Sequence, residues 1–233
     1  PYPGGYVKEP IIGLHRNVVS FDLNSLYPSL IMQYNMSPET IATGEMTNLD
    51  VDSILNNPSI VNNNGKAVAA NGQYFNINKL GVLPKIINDL YTERVDIKKA
   101  MLDSQRELQK VDKNDKQDLY RIERDITINE NRQMAIKILL NSLYGALGNK
   151  YFRFFDQRIA EGITLTGQLT IRWAENAVNQ YLNRLLNTST DYVIAIDTDS
   201  VYVSLDALVQ KFKPTNVTDF LDAVCKDKIE PVL

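Results

Sequence analysis

The sequence predicts an α+β fold in which a β-sheet is interrupted along the chain by a pair of long antiparallel helices. A short run of β-prone residues, Asn17–Asp22, and two apolar runs flanking Asp197-Thr198-Asp199 supply the sheet, the second as a β-hairpin. Two polar stretches, 84–110 and 117–147, are joined by a polar turn and predict a helical hairpin. Their charges are mixed in sign, which is typical of long solvated helices that project from the body.

The remaining elements are shorter or less regular. Residues 1–17 are rich in Pro and Gly and predict an irregular lead-in, whereas Pro28 suits the first turn of a helix that continues to Tyr34. Residues 44–82 contain several Asn-rich turn signals, and 74–78 alternate as an edge strand does. We expect residues 44–82 to form a variable, mobile insert that carries little chemistry.

A third long helix is predicted over about residues 160–187, between the helical hairpin and the acidic β-hairpin. Apolar residues recur in it at every fourth position, which predicts the stripe that faces the core. The stripe consists of Leu165, Leu169, Trp173, Ala177, Tyr181 and Leu185.

Composition limits the classes of protein that are possible. A chain of 233 residues can bury a core of its own, and its single cysteine, Cys225, excludes an intrachain disulfide or a zinc site built from cysteines. The net charge of −3 argues against a protein that coats duplex DNA over its whole surface, although acidic metal ligands can mask a local basic groove. No apolar run approaches the ~20 residues that span a bilayer, so no membrane association is expected. We expect a cytoplasmic protein, and the start at Pro1 rather than Met favours a piece of a longer chain.

Acidic residues end two of the predicted strands. Asp22 closes the first strand, and Asp197 and Asp199 lie at the tip of the β-hairpin. Residues i and i+2 of an extended strand face the same side, so Asp197 and Asp199 can converge. Carboxylates placed in this way can hold two Mg²⁺ ions about 3.5–4 Å apart, the arrangement that supports in-line phosphoryl transfer. Taken alone, each feature also fits a polar hairpin turn or a helix N-cap.

A second group of candidate residues lies on the two long helices. Lys137, Asn141 and Tyr144 are spaced i, i+4 and i+7 and therefore share one helical face. Arg94 and Lys98 are spaced i, i+4 on the preceding helix, where a solvated surface is the ordinary interpretation. If the helices are antiparallel neighbours, the basic side chains can converge on one triphosphate, Arg by bidentate contacts and Lys as a point charge. Together with the acids, this face predicts template-directed nucleotidyl transfer.

Three motifs resemble those of one polymerase family. Asp22–Ser29 resembles motif A of the family B DNA polymerases, Lys137–Gly145 resembles motif B, and Asp197–Ser200 resembles motif C, in the matching order and spacing. The resemblance covers essentially the whole chain, and Pro1–Pro10 is similar to the replicative polymerases of T4-like bacteriophages. The family usually carries an aromatic-Gly pair before motif C, where this chain has Ala195-Ile196. Because Ile disfavours a positive φ, we expect a differently shaped hairpin tip.

The resemblance implies a metal site and a phosphate site. Asp22 and Asp199 would hold two Mg²⁺ ions, together with the backbone carbonyl of Leu23, and Asp197 would lie near the primer end with a lesser metal role. The phosphate site would consist of Arg94, Lys98 and Lys137, of which Lys137 also protonates the leaving pyrophosphate, with Asn141 holding the incoming nucleotide.

The resemblance also implies contacts to the sugar and the base pair. Tyr27 corresponds to the steric gate, whose ring occupies the space of a ribose 2′-hydroxyl, with Leu26 beside it at the nucleotide. Tyr144 and Gly145 would lie against the nascent base pair.

In domain terms, the resemblance implies a palm made of an antiparallel sheet with covering helices, into which a two-helix fingers hairpin is inserted. The palm would comprise 1–82, which includes motif A and the insert 44–82, and 148–233, which includes motif C. The fingers would comprise 83–147, and the exonuclease and thumb would be absent.

The expected function is template-directed DNA synthesis in viral DNA replication, with transfer of dNMP from dNTP to a primer 3′-hydroxyl. The expected partners are primer–template DNA, dNTP and, for the whole enzyme, a sliding clamp and a single-stranded-DNA-binding protein. If the protein is viral, its setting would be the host cytoplasm. One alternative is a fragment that binds nucleotide or DNA but is inactive without missing domains or a partner chain. Another is a different palm enzyme, such as a reverse transcriptase or nucleotide cyclase, although these do not explain the Lys137–Gly145 motif.

Overall fold

The computed structural model describes residues 2–232, apart from the side chain of Glu45. It is an α+β structure, as the sequence predicts. The strands in chain order are β1 (Val7–Lys8), β2 (Val18–Asp22), β3 (Ile41–Met46), β4 (Ala67–Val68), β5 (Gln73–Phe75), β6 (Val193–Asp197) and β7 (Ser200–Ser204). The helices are α1 (Leu26–Gln33), α2 (Val51–Asn56), α3 (Val82–Leu108), α4 (Lys116–Leu147), α5 (Gln157–Leu186), α6 (Asp206–Phe212) and α7 (Val217–Val224).

The chain divides into two compact units. The first comprises Pro1–Leu26, Gly44–Tyr74 and Glu161–Leu233, and the second comprises Tyr27–Thr43 and Phe75–Ala160. Within residues 2–232, no helix combines the length and the apolar character that crossing a bilayer requires.

The four-stranded sheet of the first unit has the order β1-β6-β7-β2, and each neighbouring pair is antiparallel. β6 and β7 form the predicted hairpin. β2, the first predicted strand, pairs with β7 so that Asp22 lies opposite Ser200. The prediction of an irregular lead-in was wrong at β1, because Val7 and Lys8 carry too little local strand signal and are fixed instead by pairing with β6.

α5 covers this sheet with a different face from the one predicted. Its buried residues in the sheet core are Ile171, Val178 and Leu182, whereas Trp173 is 51% exposed. Tyr181 of the predicted stripe does pack against this core. The prediction of one continuous core-facing stripe was wrong, because a step of four residues overshoots one helical turn by about 40° and the stripe winds about half-way around the helix. Its early members pack elsewhere, since Leu165 contacts a separate cluster.

That separate cluster shows that the segment predicted as an insert contains packed structure. Val51, Ile54 and Ala70 bury their side chains together, with α2 supplying the first two. β5 lies between β3 and β4, and its three residues are buried, so the prediction of an edge strand was wrong. The alternation over residues 74–78 led to a wrong prediction because residues 76–78 lie beyond the end of β5.

In the second unit, α3 and α4 run antiparallel. Arg121, near the start of α4, pairs with Glu107 near the end of α3 at 2.6 Å. Arg132, half-way along α4, pairs with Glu93 at 3.2 Å. Both pairs are largely exposed, so they contribute little stability. They show that the helices run in opposite directions, because the later residue of α4 pairs with the earlier residue of α3.

The start of α3 is capped by residues distant in sequence. Gly81 occupies the N-cap position and donates its N–H to the side-chain oxygen of Asn35 at 2.8 Å. The next two amides, of Val82 and Leu83, donate to the Glu39 carboxylate and the Ser37 hydroxyl. Burial raises the pKa of Glu39, but the hydrogen bonds from Val82 and Ser37 outweigh this effect and the pKa is lowered. A carboxylate in this position is also favoured by the helix dipole.

Candidate functional site

The first unit brings the ends of β2 and the β6–β7 hairpin together. Asp22 is the last residue of β2, and its Oδ2 accepts a hydrogen bond from the Ser200 hydroxyl at 3.0 Å. The Leu23 amide donates to the carbonyl oxygen of Asp199 at 2.8 Å. These two contacts place the residues of motif A and motif C side by side, although they lie near opposite ends of the sequence.

The hairpin tip turns at Thr198, which has a left-handed φ of 56°. Its amide donates to the Tyr6 carbonyl at 2.9 Å, and its hydroxyl donates to Asp197 Oδ1 at 3.0 Å. Ile196 continues the regular strand opposite Val201. The positive φ therefore falls after Asp197 rather than at the Ala195-Ile196 pair, since a β-branched residue fits the pleated strand.

Like charges gather at this tip. Burial raises the pKa of the half-buried Asp199, and the charges of Asp22 and Asp197 raise it further. A bound cation would relieve this repulsion, which is the way that ions reverse local pKa behaviour. Among the described residues, however, no three His, Cys, Asp or Glu side chains are arranged to hold a metal ion. Mg²⁺ takes few protein ligands and completes its shell with phosphate and water, so the neighbouring Asp22 and Asp199 are the residues that could hold it.

The second unit carries the basic candidates on α3 and α4. Arg94 is partly buried, and its Nε is a buried donor with no hydrogen-bond partner. Buried donors are rarely left unsatisfied, so this atom suggests that an anionic ligand completes the site. Lys98, Lys137 and Asn141 are exposed. By contrast, Glu93 and Arg132 on the same helices pair with each other.

The second unit also brings together an aromatic residue from motif A and one from motif B. The rings of Tyr27 and Tyr144 have centroids 4.5 Å apart and planes inclined at 38°. Gly145 is exposed, and a Cβ added there would have no atom within 4 Å, so the surface beside Tyr144 is open. Leu26, in the first unit, is only 7% exposed, which leaves little of its side chain accessible to a ligand.

We call Asp22 and residues 197–200 together the acidic tip. From the sequence alone, two of its residues, Thr198 and Ser200, were assigned no role. Ser200 orients Asp22, and Thr198 orients Asp197. The available signal was their position, since each hydroxyl residue is adjacent to an acid of the Asp197–Ser200 motif. Tyr6 acts through its backbone carbonyl, which leaves no trace in a side-chain pattern.

Comparison with known proteins identifies the family. The family model described as DNA polymerase family B matches residues 1–226. The DNA-directed DNA polymerase of Escherichia phage RB69 is 35% identical and that of Enterobacteria phage T4 is 32% identical, each over 100% of this chain but only 30% of the relative. DNA polymerase 1 of Pyrococcus abyssi is 32% identical over 88% of this chain and 21% of the relative. The resemblance read from the three motifs is thereby confirmed. The chain belongs to DNA polymerase family B.

Proposed function

We propose that this chain contains the catalytic centre of template-directed DNA synthesis, in which a primer 3′-hydroxyl attacks the α-phosphate of a dNTP and pyrophosphate leaves. The observation that carries the proposal is the meeting of Asp22 and Asp199 at the ends of β2 and the β6–β7 hairpin. Membership of the family supports it, and the phage relatives are named DNA-directed DNA polymerases.

In this proposal the acidic tip holds two Mg²⁺ ions. Asp22 and Asp199 would supply carboxylate ligands, the backbone carbonyl of Leu23 one further oxygen, and Asp197 a lesser contact. Bound Mg²⁺ would make the primer hydroxyl a better nucleophile and stabilise negative charge on the leaving oxygen. Ser200 keeps one oxygen of Asp22 hydrogen-bonded, and this leaves the other oxygen to face a ligand.

The basic face of α3 and α4 would hold the triphosphate. Arg94, Lys98 and Lys137 supply positive charge, and Asn141 supplies an amide one helical turn from Lys137. The buried Nε of Arg94 supports a phosphate at this position, because a phosphate oxygen would satisfy it. Lys137 would donate a proton to the departing pyrophosphate.

The paired tyrosines, Tyr27 and Tyr144, would select the sugar and support the base pair. Tyr27, the steric gate of the proposal, is held at one ring face by Tyr144, which restricts its freedom to swing away from a 2′-hydroxyl. Tyr144 and the open surface at Gly145 would lie against the nascent pair. The proposed nucleotide contact of Leu26 would come from its backbone, since its side chain is buried.

The remaining parts of the proposal concern the longer protein. The chain spans 30% of the length of its phage relatives, and we place the exonuclease and thumb outside it. We assign 1–82 and 148–233 to the palm and 83–147 to the fingers. For the whole enzyme we propose primer–template DNA, dNTP, a sliding clamp and a single-stranded-DNA-binding protein as partners, and the host cytoplasm as the setting of viral replication.

The partial coverage favours one second function, that of a module which binds nucleotide but needs its missing domains for extension.

Primer extension by one nucleotide tests the proposal. The 233-residue chain, Mg²⁺, a labelled primer–template and the complementary dNTP are incubated with the wild type, Asp199→Asn or Asp227→Asn. Asp227 is an exposed acid outside the tip, so its variant controls for the loss of one negative charge. Extension by the wild type and Asp227→Asn but not by Asp199→Asn supports the proposal. Extension retained in Asp199→Asn refutes the catalytic role of the tip, and Mg²⁺-dependent dNTP binding without extension establishes the binding module.

A further inference from the structure

The N-terminal strap, which we define as residues 4–8, connects one face of α5 to the acidic tip. We propose that Lys8 is a positioning residue that locks this strap, and through it fixes Thr198 and the metal-binding geometry of Asp197 and Asp199. This inference rests on the proposed function of the tip.

Lys8 forms a three-way anchor in the first unit. Its Nζ donates to the carboxylates of Glu175 and Asp191, each at 2.5 Å, and to the carbonyl oxygen of Val193 at 2.8 Å. An ammonium group has three donors, and all three are used here. Its side chain is only 16% exposed. Burial lowers the pKa of Lys8, but hydrogen bonds and charges from Asp191 and Glu175 outweigh that effect and raise it. The anchor therefore keeps its charge at neutral pH.

The same strap meets α5 at regular intervals. Alternate residues of the strap contact residues three or four apart on α5, and both spacings correspond to about 5–7 Å. The contacts are Gln168 Nε2 to the Gly4 carbonyl at 2.7 Å, the Arg172 guanidinium 5.3 Å from the centre of the Tyr6 ring, and Glu175 to Lys8. Lys8 supplies the ionic contact of this row. The other two, a hydrogen bond to a carbonyl and a cation–ring contact, are weaker.

The strap reaches the acids through the backbone. Val7 pairs with Asp197 in the sheet, and the Tyr6 carbonyl accepts the Thr198 amide at 2.9 Å. Thr198 is β-branched and has a φ of 56°, a conformation that such a residue adopts only when its surroundings impose it. If the strap loosens, Thr198 loses a contact that holds this conformation. The distance between Asp197 and Asp199 then changes, because Thr198 is the residue between them.

The assignment is specific to Lys8 rather than to any surface lysine. Lys226 also pairs with an acid, Asp222, at 3.1 Å, but this pair is exposed and its members lie four residues apart, Asp222 in α7 and Lys226 just after it. Neither residue belongs to the strap or to the hairpin tip. Lys226→Met therefore removes a charge and an ion pair without affecting the proposed path, and it is the matched control.

Manganese binding measured by electron paramagnetic resonance tests the inference, with Mn²⁺ as the probe and the 233-residue chain as the protein. The variants are Lys8→Met, which keeps the length but removes the charge, Lys8→Arg, which restores it, and Glu175→Gln, which weakens the anchor from the other side. We expect Lys8→Met to weaken Mn²⁺ binding at the Asp199-dependent site by about 10-fold. We expect Lys8→Arg to recover most of the affinity, Glu175→Gln to show a smaller loss, and Lys226→Met to match the wild type.

Circular dichroism spectra of all variants accompany the titrations. Wild-type Mn²⁺ affinity in folded Lys8→Met overturns the inference while leaving the proposed function intact. If Lys8→Met does not fold, Glu175→Gln decides the question, and unchanged affinity in that variant overturns the inference. If the wild type shows no Mn²⁺ binding that Asp199→Asn abolishes, the proposed metal site fails first and the inference fails with it.

Discussion

Replacing Asn35 by Ala should destabilise the protein at the N-terminal end of α3, the helix that carries Arg94 and Lys98. The Asn35 side chain is buried, donates to the carbonyls of Asn76 and Lys79 at 2.7 and 2.9 Å, and accepts the Gly81 amide at 2.8 Å. The buried Gly81 amide, the half-buried Asn76 and the exposed Lys79 each lose a hydrogen bond, at roughly 1 kcal/mol each. Asn35 also has a φ of 54°, which Asn tolerates better than Ala, adding roughly 0.5–1 kcal/mol. We expect a total destabilisation of about 3–4 kcal/mol.

Urea unfolding followed by circular dichroism measures this change, with two comparisons that separate its parts. Asn76→Ala is the matched control, since Asn76 takes part in the network only through its backbone carbonyl. Asn35→Gly permits the left-handed conformation at no steric cost, so it should lose only the hydrogen-bond part. An Asn35→Ala variant that is destabilised by no more than about 1 kcal/mol relative to Asn76→Ala would refute the reasoning.

Three further predictions concern other parts of the chain. Tyr27→Val should admit ribonucleotides in primer extension while keeping deoxynucleotide incorporation, and unchanged sugar discrimination would remove Tyr27 from the gate. Gly72→Ala should lower the unfolding temperature well below that of Gly65→Ala, because both have a positive φ but only at Gly72 would a Cβ lie 1.7 Å from the Thr47 carbonyl oxygen; equal losses would show that this clash is relieved. Asp199→Asn should unfold at a higher temperature than the wild type in metal-free buffer at neutral pH, because it removes like-charge repulsion, and added Mg²⁺ should stabilise the wild type alone. A lower unfolding temperature for Asp199→Asn without metal would contradict the crowding of charge at the tip.

Elements of the fold could be predicted from the sequence where their structure depends on neighbouring residues. Asp22 ends β2, and Asp199 lies in the turn between β6 and β7, so the strands that flank these acids could be predicted from the short motifs around them. The two long helices were predicted within a few residues of their bounds, since their length and mixed charge give a strong helical signal.

The sequence was least informative where structure depends on distant partners. β1 has two residues and owes its conformation to β6, so no local pattern marks it. The acids that hold Lys8 follow it by 167 and 183 positions, and this pairing cannot be read from spacing. The core face of α5 was misassigned because a fixed four-residue step drifts around the helix. The hydrogen bonds of Asn35 to residues 76–81 likewise depend on a tertiary contact between loops.

The central claim is that the end of β2 and the tip of the β6–β7 hairpin together bind divalent cations. Iron-mediated cleavage of the polypeptide tests it most directly. Fe²⁺ replaces Mg²⁺ in the presence of dNTP, ascorbate and peroxide are added, and the cut sites are mapped by mass spectrometry. The account predicts cuts close to Asp22 and close to Thr198, both lost in Asp199→Asn and retained in Asp227→Asn. Cleavage that is absent from these positions, or that persists there in Asp199→Asn, would contradict it.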